Sequence, residues 1–186
     1  MMIAGMPGTR RPPRLLLVVL AAVCLSAVPA VGQEHESPEA RYFDFWPGTW
    51  VEVVDGDPDP TATTFTVRRS VHESAFEERW KLVYEGTEHH SVAVRAWDPT
   101  TGRWMLTWID DGGLFQIWEG RKFGEDWYIV REFDIDGSRF LSRQAWLPDG
   151  DGELTRVMER SFDDGRTWQP RSRTRFRKVS PPGPNH

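Results

Sequence analysis

Clusters of aspartate, glycine and proline recur through residues 50–179 at a spacing too short for regular helices and well matched to hairpins. They fall at Asp55-Gly56-Asp57-Pro58, Glu85-Gly86, Asp98-Pro99-Thr100-Thr101-Gly102, Asp111-Gly112-Gly113, Asp136-Gly137, Asp149-Gly150-Asp151-Gly152 and Asp163-Asp164-Gly165. These residue types supply the positive φ and the side-chain caps that tight strand connections require. Between them lie stretches of about seven to twelve residues, rich in tryptophan and without a helical period. Even spacing with short connections predicts an all-β chain, a single antiparallel up-and-down β-barrel of about ten strands. The strands are placed at 49–54, 62–71, 75–85, 88–97, 103–110, 114–121, 126–134, 139–146, 153–162 and 167–178. A closed meander of this size leaves no long exposed edge and encloses an interior.

Side chains alternate across a strand, so each stretch splits into two rows. Phe76, Glu78, Trp80, Leu82 and Tyr84 share one side of the third strand, and Trp104, Leu106, Trp108 and Asp110 one side of the fifth. Trp127, Ile129, Arg131 and Phe133 form another row, and Trp168, Ser172, Thr174 and Phe176 a fourth. The opposite row of the last strand, Arg171, Arg173, Arg175 and Arg177, is assigned to water. Six of the ten tryptophans, at 80, 104, 108, 118, 127 and 168, fall on inward rows, where indoles pack a core; the others could rim an opening.

The ends of the chain read differently. Residues 1–32 have the anatomy of a secretory signal: Arg10, Arg11 and Arg14, an apolar run from Leu15 to Val28, then small residues around Ala30 and Gly32. Residues 33–41 read as a charged, mobile leader, 42–179 as the barrel domain, and 180–186, with three prolines, as a disordered tail. Cys24, the only cysteine, lies inside the signal, and Val23 before it is bulkier than the small residue that usually precedes a lipidated cysteine. An exported chain without its signal then has no thiol, disulfide or cysteine-ligated metal. Beyond residue 32 there remain 20 basic against 28 acidic residues, a net charge near −8, which excludes nucleic acid and anionic membrane surfaces as partners. No stable membrane insertion is expected after signal cleavage.

Particular motifs carry a family resemblance. Phe43-x-Phe45-Trp46-x-Gly48-x-Trp50, Glu78-Arg79-Trp80, Trp97-Asp98 with Gly102 and Trp104, Trp108-Ile109-Asp110 and the element at 161–168 together resemble the bacterial DUF1579 family over nearly the whole mature chain. The resemblance implies a lipocalin-like, calycin-type barrel and no assigned activity. Gly48, lacking a Cβ, permits a tight entry into the first strand, and Gly48-x-Trp50 resembles the calycin signature, which implies that Trp50 closes the barrel base under a cation from the last strand. Ser161-Phe162-Asp163-Asp164-Gly165-Arg166-Thr167-Trp168 is similar to the Asp-box of sialidase propellers, in which Asp163 would cap a turn, Gly165 would take positive φ and Trp168 would pack the hairpin. One box in about 150 residues cannot build a propeller, so a sialidase is excluded.

The functional hint is polar residues on otherwise aromatic rows: Glu78 beside Phe76 and Trp80, Asp110 beside Trp108, Gln116 beside Trp118, and Arg131 between Ile129 and Phe133. Ionised groups inside a barrel must pair or face a wet cavity. Glu78, Trp80, Trp104, Trp108, Asp110, Gln116, Trp118 and Arg131 are therefore the candidate ligand-binding set for a small hydrophobic or amphipathic molecule. Two alternatives stand beside this: an acid–base pair of Glu78 and Asp110 acting with Arg131 on a small molecule, and a filled structural barrel with an ion-pair network. No cofactor or metal is expected. His89 and His90 point to opposite faces of one strand and cannot share an ion, and no Gly-x-Ser-x-Gly elbow supports a hydrolase triad.

Overall fold

A computed structural model describes residues 37–150 and 152–179, and the expected signal at 1–32 and tail at 180–186 lie outside them. The strands are β1 (Gly48–Val54), β2 (Asp57–Pro58), β3 (Thr64–Arg69), β4 (Ala75–Tyr84), β5 (Thr87–Asp98) and β6 (Arg103–Asp110). They continue with β7 (Phe115–Phe123), β8 (Asp126–Ile135), β9 (Ser138–Gly150), β10 (Glu153–Ser161) and β11 (Gln169–Val179). From β3 to β11 each strand pairs antiparallel with its successor, and β1 pairs with both β3 and β11, Trp50 lying opposite Phe65 and Lys178. The result is a closed, ten-stranded, up-and-down antiparallel barrel. The extra strand is β2, in a segment expected to be only a turn. Asp55 and Gly56, at φ 53° and 96°, fold Asp57 and Pro58 back to pair with Val54 and Val53.

Aromatic side chains fill one end of the interior. Phe65 stacks on Trp80 at 4.0 Å and meets Phe176 edge-on at 5.2 Å, while Phe76 and Trp104 stack at 6.1 Å. So dense a packing forces one neighbour to be glycine: a Cβ on Gly120 would stand 2.5 Å from Trp104 O and 2.9 Å from Trp104 Cβ. Gly120→Ala should cost about 1–3 kcal/mol, the usual range for overpacking, because the obstacle is backbone and cannot swing aside. Chemical denaturation of the variant measures this directly. Gly124→Ala is the control for Gly120, since its site is open, though its φ of 64° adds a strain of its own.

The segment before β1 closes this end. Residues 37–41 were expected in the mobile leader, but Pro38–Arg41 forms a 3-10 turn capped by Ser37, and Ala40 within it is buried. Glu39 ties the turn to the barrel: its carboxylate accepts from Lys122 Nζ and Trp127 Nε1, both at 2.7 Å, and its carbonyl from Trp104 Nε1 at 3.0 Å. Those hydrogen bonds hold the Glu39 carboxyl below its ordinary pKa. Phe43 and Trp46 then enter the core, Phe43 edge-on to Trp104 at 4.8 Å and Trp46 against Phe65 at 5.1 Å. Trp50 donates to Trp46 O at 2.9 Å, and Lys178 Nζ of β11 sits 4.9 Å from its ring centre. Gly48, at φ 140°, leaves the space through which the Lys178 side chain passes, its Cε lying 2.9 Å from where a Cβ would be.

One assignment on the last strand is corrected by an irregularity. The β10–β11 register shifts between Met158 and Glu159, so that Met158 faces Ser172 but Glu159 faces Pro170. Arg171 is the extra residue of this bulge, and alternation reverses across it. Ser172, Thr174 and Phe176 face inward as expected, whereas Trp168 is turned to the outer surface, edge-on to Phe123 at 5.9 Å with Arg143 4.1 Å above it. Arg171, the bulged residue, is exposed as its assignment to water expects, and it also borders the mouth of the interior.

The 161–168 turn has the hydrogen bonding its residues suggest. Asp163 Oδ2 accepts from Thr167 Oγ1 at 2.6 Å, and Oδ1 from Thr167 N at 2.9 Å and Ser161 Oγ at 2.7 Å. Ser161 Oγ in turn accepts from Gly165 N at 2.8 Å, Gly165 taking φ 85°. Thr167, first through its hydroxyl and then through its N–H, and Ser161 pull the Asp163 carboxyl down to about 2. An unfolded Asp titrates near 3.9, so this stabilisation is complete above about pH 4 and lost as pH falls through about 2. Asp163→Asn should lower the melting temperature above pH 5, where that contribution is complete, and flatten its fall between about pH 4 and 2, as acid titration of the melting temperature will show.

Candidate functional site

The buried polar centre is an ion pair that β4 and β5 bring together. Glu78 and Arg95 are both fully inaccessible, and Arg95 Nε donates to Glu78 Oε1 at 2.8 Å. The same oxygen accepts from Trp46 Nε1 at 3.0 Å, and Oε2 accepts from Trp80 Nε1 at 3.0 Å. The Arg95 guanidinium lies between aromatic faces, 4.3 Å from Trp146, 4.5 Å from Phe43 and 5.2 Å from Trp46. Among the described residues its two Nη atoms have no hydrogen-bond acceptor, so the π faces are their counterpart.

Beyond this centre the interior is open. One cavity of about 230 Å³ is walled by Leu106, Trp108, Trp118, Ile129, Phe133 and Phe140, with Glu78, Gln116, Ser142 and Gln144 supplying polar edges. A wider one of about 840 Å³ lies at the mouth, bordered by Glu52, Leu82, Tyr84, His89, Asp110, Asp111 and Arg171. Ser142 of β9 and Arg156, Met158 and Arg160 of β10 line both, so the two spaces adjoin along these strands. Arg156 donates to Gln144 Oε1 through Nη2 at 2.7 Å and Nε at 3.1 Å, and faces Trp80 and Trp146. Burial lowers its pKa to about 10, partly opposed by the charges of Glu78 and Glu52, so it stays protonated at neutral pH. The Arg160 guanidinium lies 4.5 Å over Phe140.

The residues read from sequence separate into three places. Glu78, Trp108, Gln116 and Trp118 line the smaller cavity, where Gln116 Oε1 accepts from Trp118 Nε1 at 3.0 Å. Asp110 borders the mouth, but its Oδ1 caps the following turn, accepting from Gly112 N and Leu114 N at 3.0 Å each. Trp80, Trp104 and Arg131 line neither space. Trp80 packs the closed end, Trp104 anchors the leader turn, and Arg131 donates to Ile117 O at 3.2 Å with its guanidinium over Phe133. The partner of Glu78 is therefore Arg95 and not Arg131. Sequence reasoning missed Arg95, Ser142, Gln144, Arg156 and Arg160; for the last two, the inward row Leu154, Arg156, Met158, Arg160 alternates with Thr155, Val157 and Glu159, and hydrophobicity does not distinguish the rows.

What the arrangement can do follows from which groups are free. Both oxygens of Glu78 are occupied by donors, and Glu78 and Asp110 open onto different spaces, so the pair does not make an acid and a base across one substrate. Among the described residues no cluster of three or more His, Asp or Glu side chains is placed to hold a metal ion. An aromatic-walled recess with a few polar groups and protonated arginines at its edge is suited to binding. In comparisons with known proteins, no family model and no curated sequence matches the chain.

Proposed function

We propose that this barrel binds a small apolar or amphipathic molecule in its interior, as an exported protein with the lipocalin-like character that its resemblance to the DUF1579 family implies. The observation that carries the reading is the asymmetry of the interior. Trp46, Trp50, Phe65 and Trp104 seal one end completely, while the other holds unfilled space walled by Trp108, Trp118, Ile129 and Phe140. A barrel whose only task was structural would gain stability by filling that space, since interiors otherwise pack to crystal-like density. The larger space falls within the ~300–1,000 Å³ range of small-molecule sites. The signal-like segment at 1–32 and the acidic balance of the rest support export and argue against nucleic acid or a membrane surface as partner.

Native mass spectrometry of protein purified without denaturant from its own cell envelope tests the reading. A retained small molecule, released on unfolding, is the expected result. A bare-chain mass together with failure of any apolar probe to quench tryptophan fluorescence would overturn it.

A further inference from the structure

The interior has an imbalance of partners. Four carboxylates border the two cavities, and each is already engaged: Glu78 by Arg95 and two indoles, Glu52 by Thr63 N at 3.2 Å, Asp110 by the N–H groups of its turn, and Asp111 by His90 N at 2.7 Å. None of them forms an ion pair with Arg156, Arg160 or Arg171. Arg156 at least has Gln144. Arg160 and Arg171 have no hydrogen-bond acceptor among the described residues, and burial, with the charge of Arg171 adding to it, lowers the pKa of Arg160. Half-buried Arg160 and exposed Arg171 both border the mouth, where an anion would offset their like charges.

We propose that Arg160 and Arg171 form an anion subsite at the junction of the two cavities, which takes the carboxylate of an amphipathic ligand whose apolar body enters the smaller cavity. This rests on the ligand-binding reading above and names its ligand class. Three features set the chemistry. Arg160 lines both spaces, so a head group on it lies at the mouth while the attached body can reach Trp108, Trp118 and Phe133. The guanidinium fork matches a carboxylate's two oxygens. Glu52, Asp110 and Asp111 border the same mouth, so a single negative charge is tolerated where a phosphate dianion would be repelled. The volume of about 230 Å³ limits the apolar body that can enter the smaller cavity to a short chain or a single ring. A medium-chain fatty acid or an arylalkanoate fits, and a long-chain acid would leave its tail in the mouth. The bulge at Arg171 lets that exposed side chain border the mouth.

Decanoate and decanol, which share a chain and differ in charge, separate the parts of the proposal. Tryptophan fluorescence titration near neutral pH should give decanoate at least about tenfold tighter binding than decanol, a difference of about 1.4 kcal/mol. The Arg160→Met/Arg171→Met double variant should lose that preference. On the unmodified protein, raising NaCl from about 50 to about 500 mM should weaken decanoate and leave decanol unchanged, which reads the charge without depending on how a variant folds. Equal binding of the two ligands, or a preference that survives the double substitution or the salt, overturns the anion subsite and leaves the ligand-binding reading standing. Failure of both to bind removes that reading and the subsite with it.

Discussion

Glu78→Ala should destabilise the barrel by about 3–5 kcal/mol, the range for stranding one member of a buried ion pair. The substitution leaves the Arg95 guanidinium uncompensated at 0% exposure and takes the acceptor from the indole N–H groups of Trp46 and Trp80. Each orphaned donor adds about 1–3 kcal/mol unless water enters from the adjoining cavity to replace the carboxylate. Glu78→Gln keeps an acceptor and removes the charge, so its loss should be smaller. Glu78→Leu/Arg95→Met should recover much of the single-variant loss, because an apolar pair in place of a buried ionic one is often neutral or better. Urea unfolding of the three variants beside the unmodified protein measures these losses. A Glu78→Ala loss under about 1 kcal/mol would mean that the pair is not the keystone its geometry describes.

The second large effect is expected at the sealed end. Trp50→Ala should cost about 3–5 kcal/mol, since the ring is 2% exposed, packs on Phe65 and Trp46, and donates to Trp46 O. Lys178→Met removes only the cation above that ring and its hydrogen bond to Phe45 O, and should cost about 1 kcal/mol or less. The contrast matters because the resemblance to calycin barrels implies a Trp closing the base beneath a cation. Calorimetric melting of both variants would show whether the indole or the cation carries that closure. Equal losses would place the weight on Lys178 and contradict the account.

The barrel was legible because its strand connections are short and chemically explicit. Asp-Gly and Asp-Pro clusters bound ten strands to within a few residues, and rows such as Phe76, Glu78, Trp80 show an inward side that hydrophobicity alone can read. The site was less legible for a physical reason visible on β5. There Val92 and Val94 face outward, half exposed, while Ser91, Ala93 and Arg95 face inward. Small residues are required on the inside because Ser91 lies opposite Trp80 and Ala93 opposite Trp108. Large indoles on the neighbouring strands use the volume, and the apolar pattern of β5 inverts. Arg95 was hidden by that inversion, and Arg131, on a row that looks inward, stood in its place. The bulge at Arg171 was equally silent, since nothing in Trp168-Gln169-Pro170-Arg171-Ser172 specifies on which residue alternation will reverse.

The central claim is that ligand enters the open end and contacts the aromatic wall there, while the sealed end stays closed. The indole N–H resonances of the tryptophans report on both ends at once in a nitrogen-15 NMR titration with decanoate. The account predicts that the signals of Trp108 and Trp118 move and saturate together, while those of Trp50 and Trp127 at the sealed end stay in place. Saturable shifts confined to Trp50, Trp104 and Trp127, or none at Trp108 and Trp118 under saturating decanoate, would contradict it.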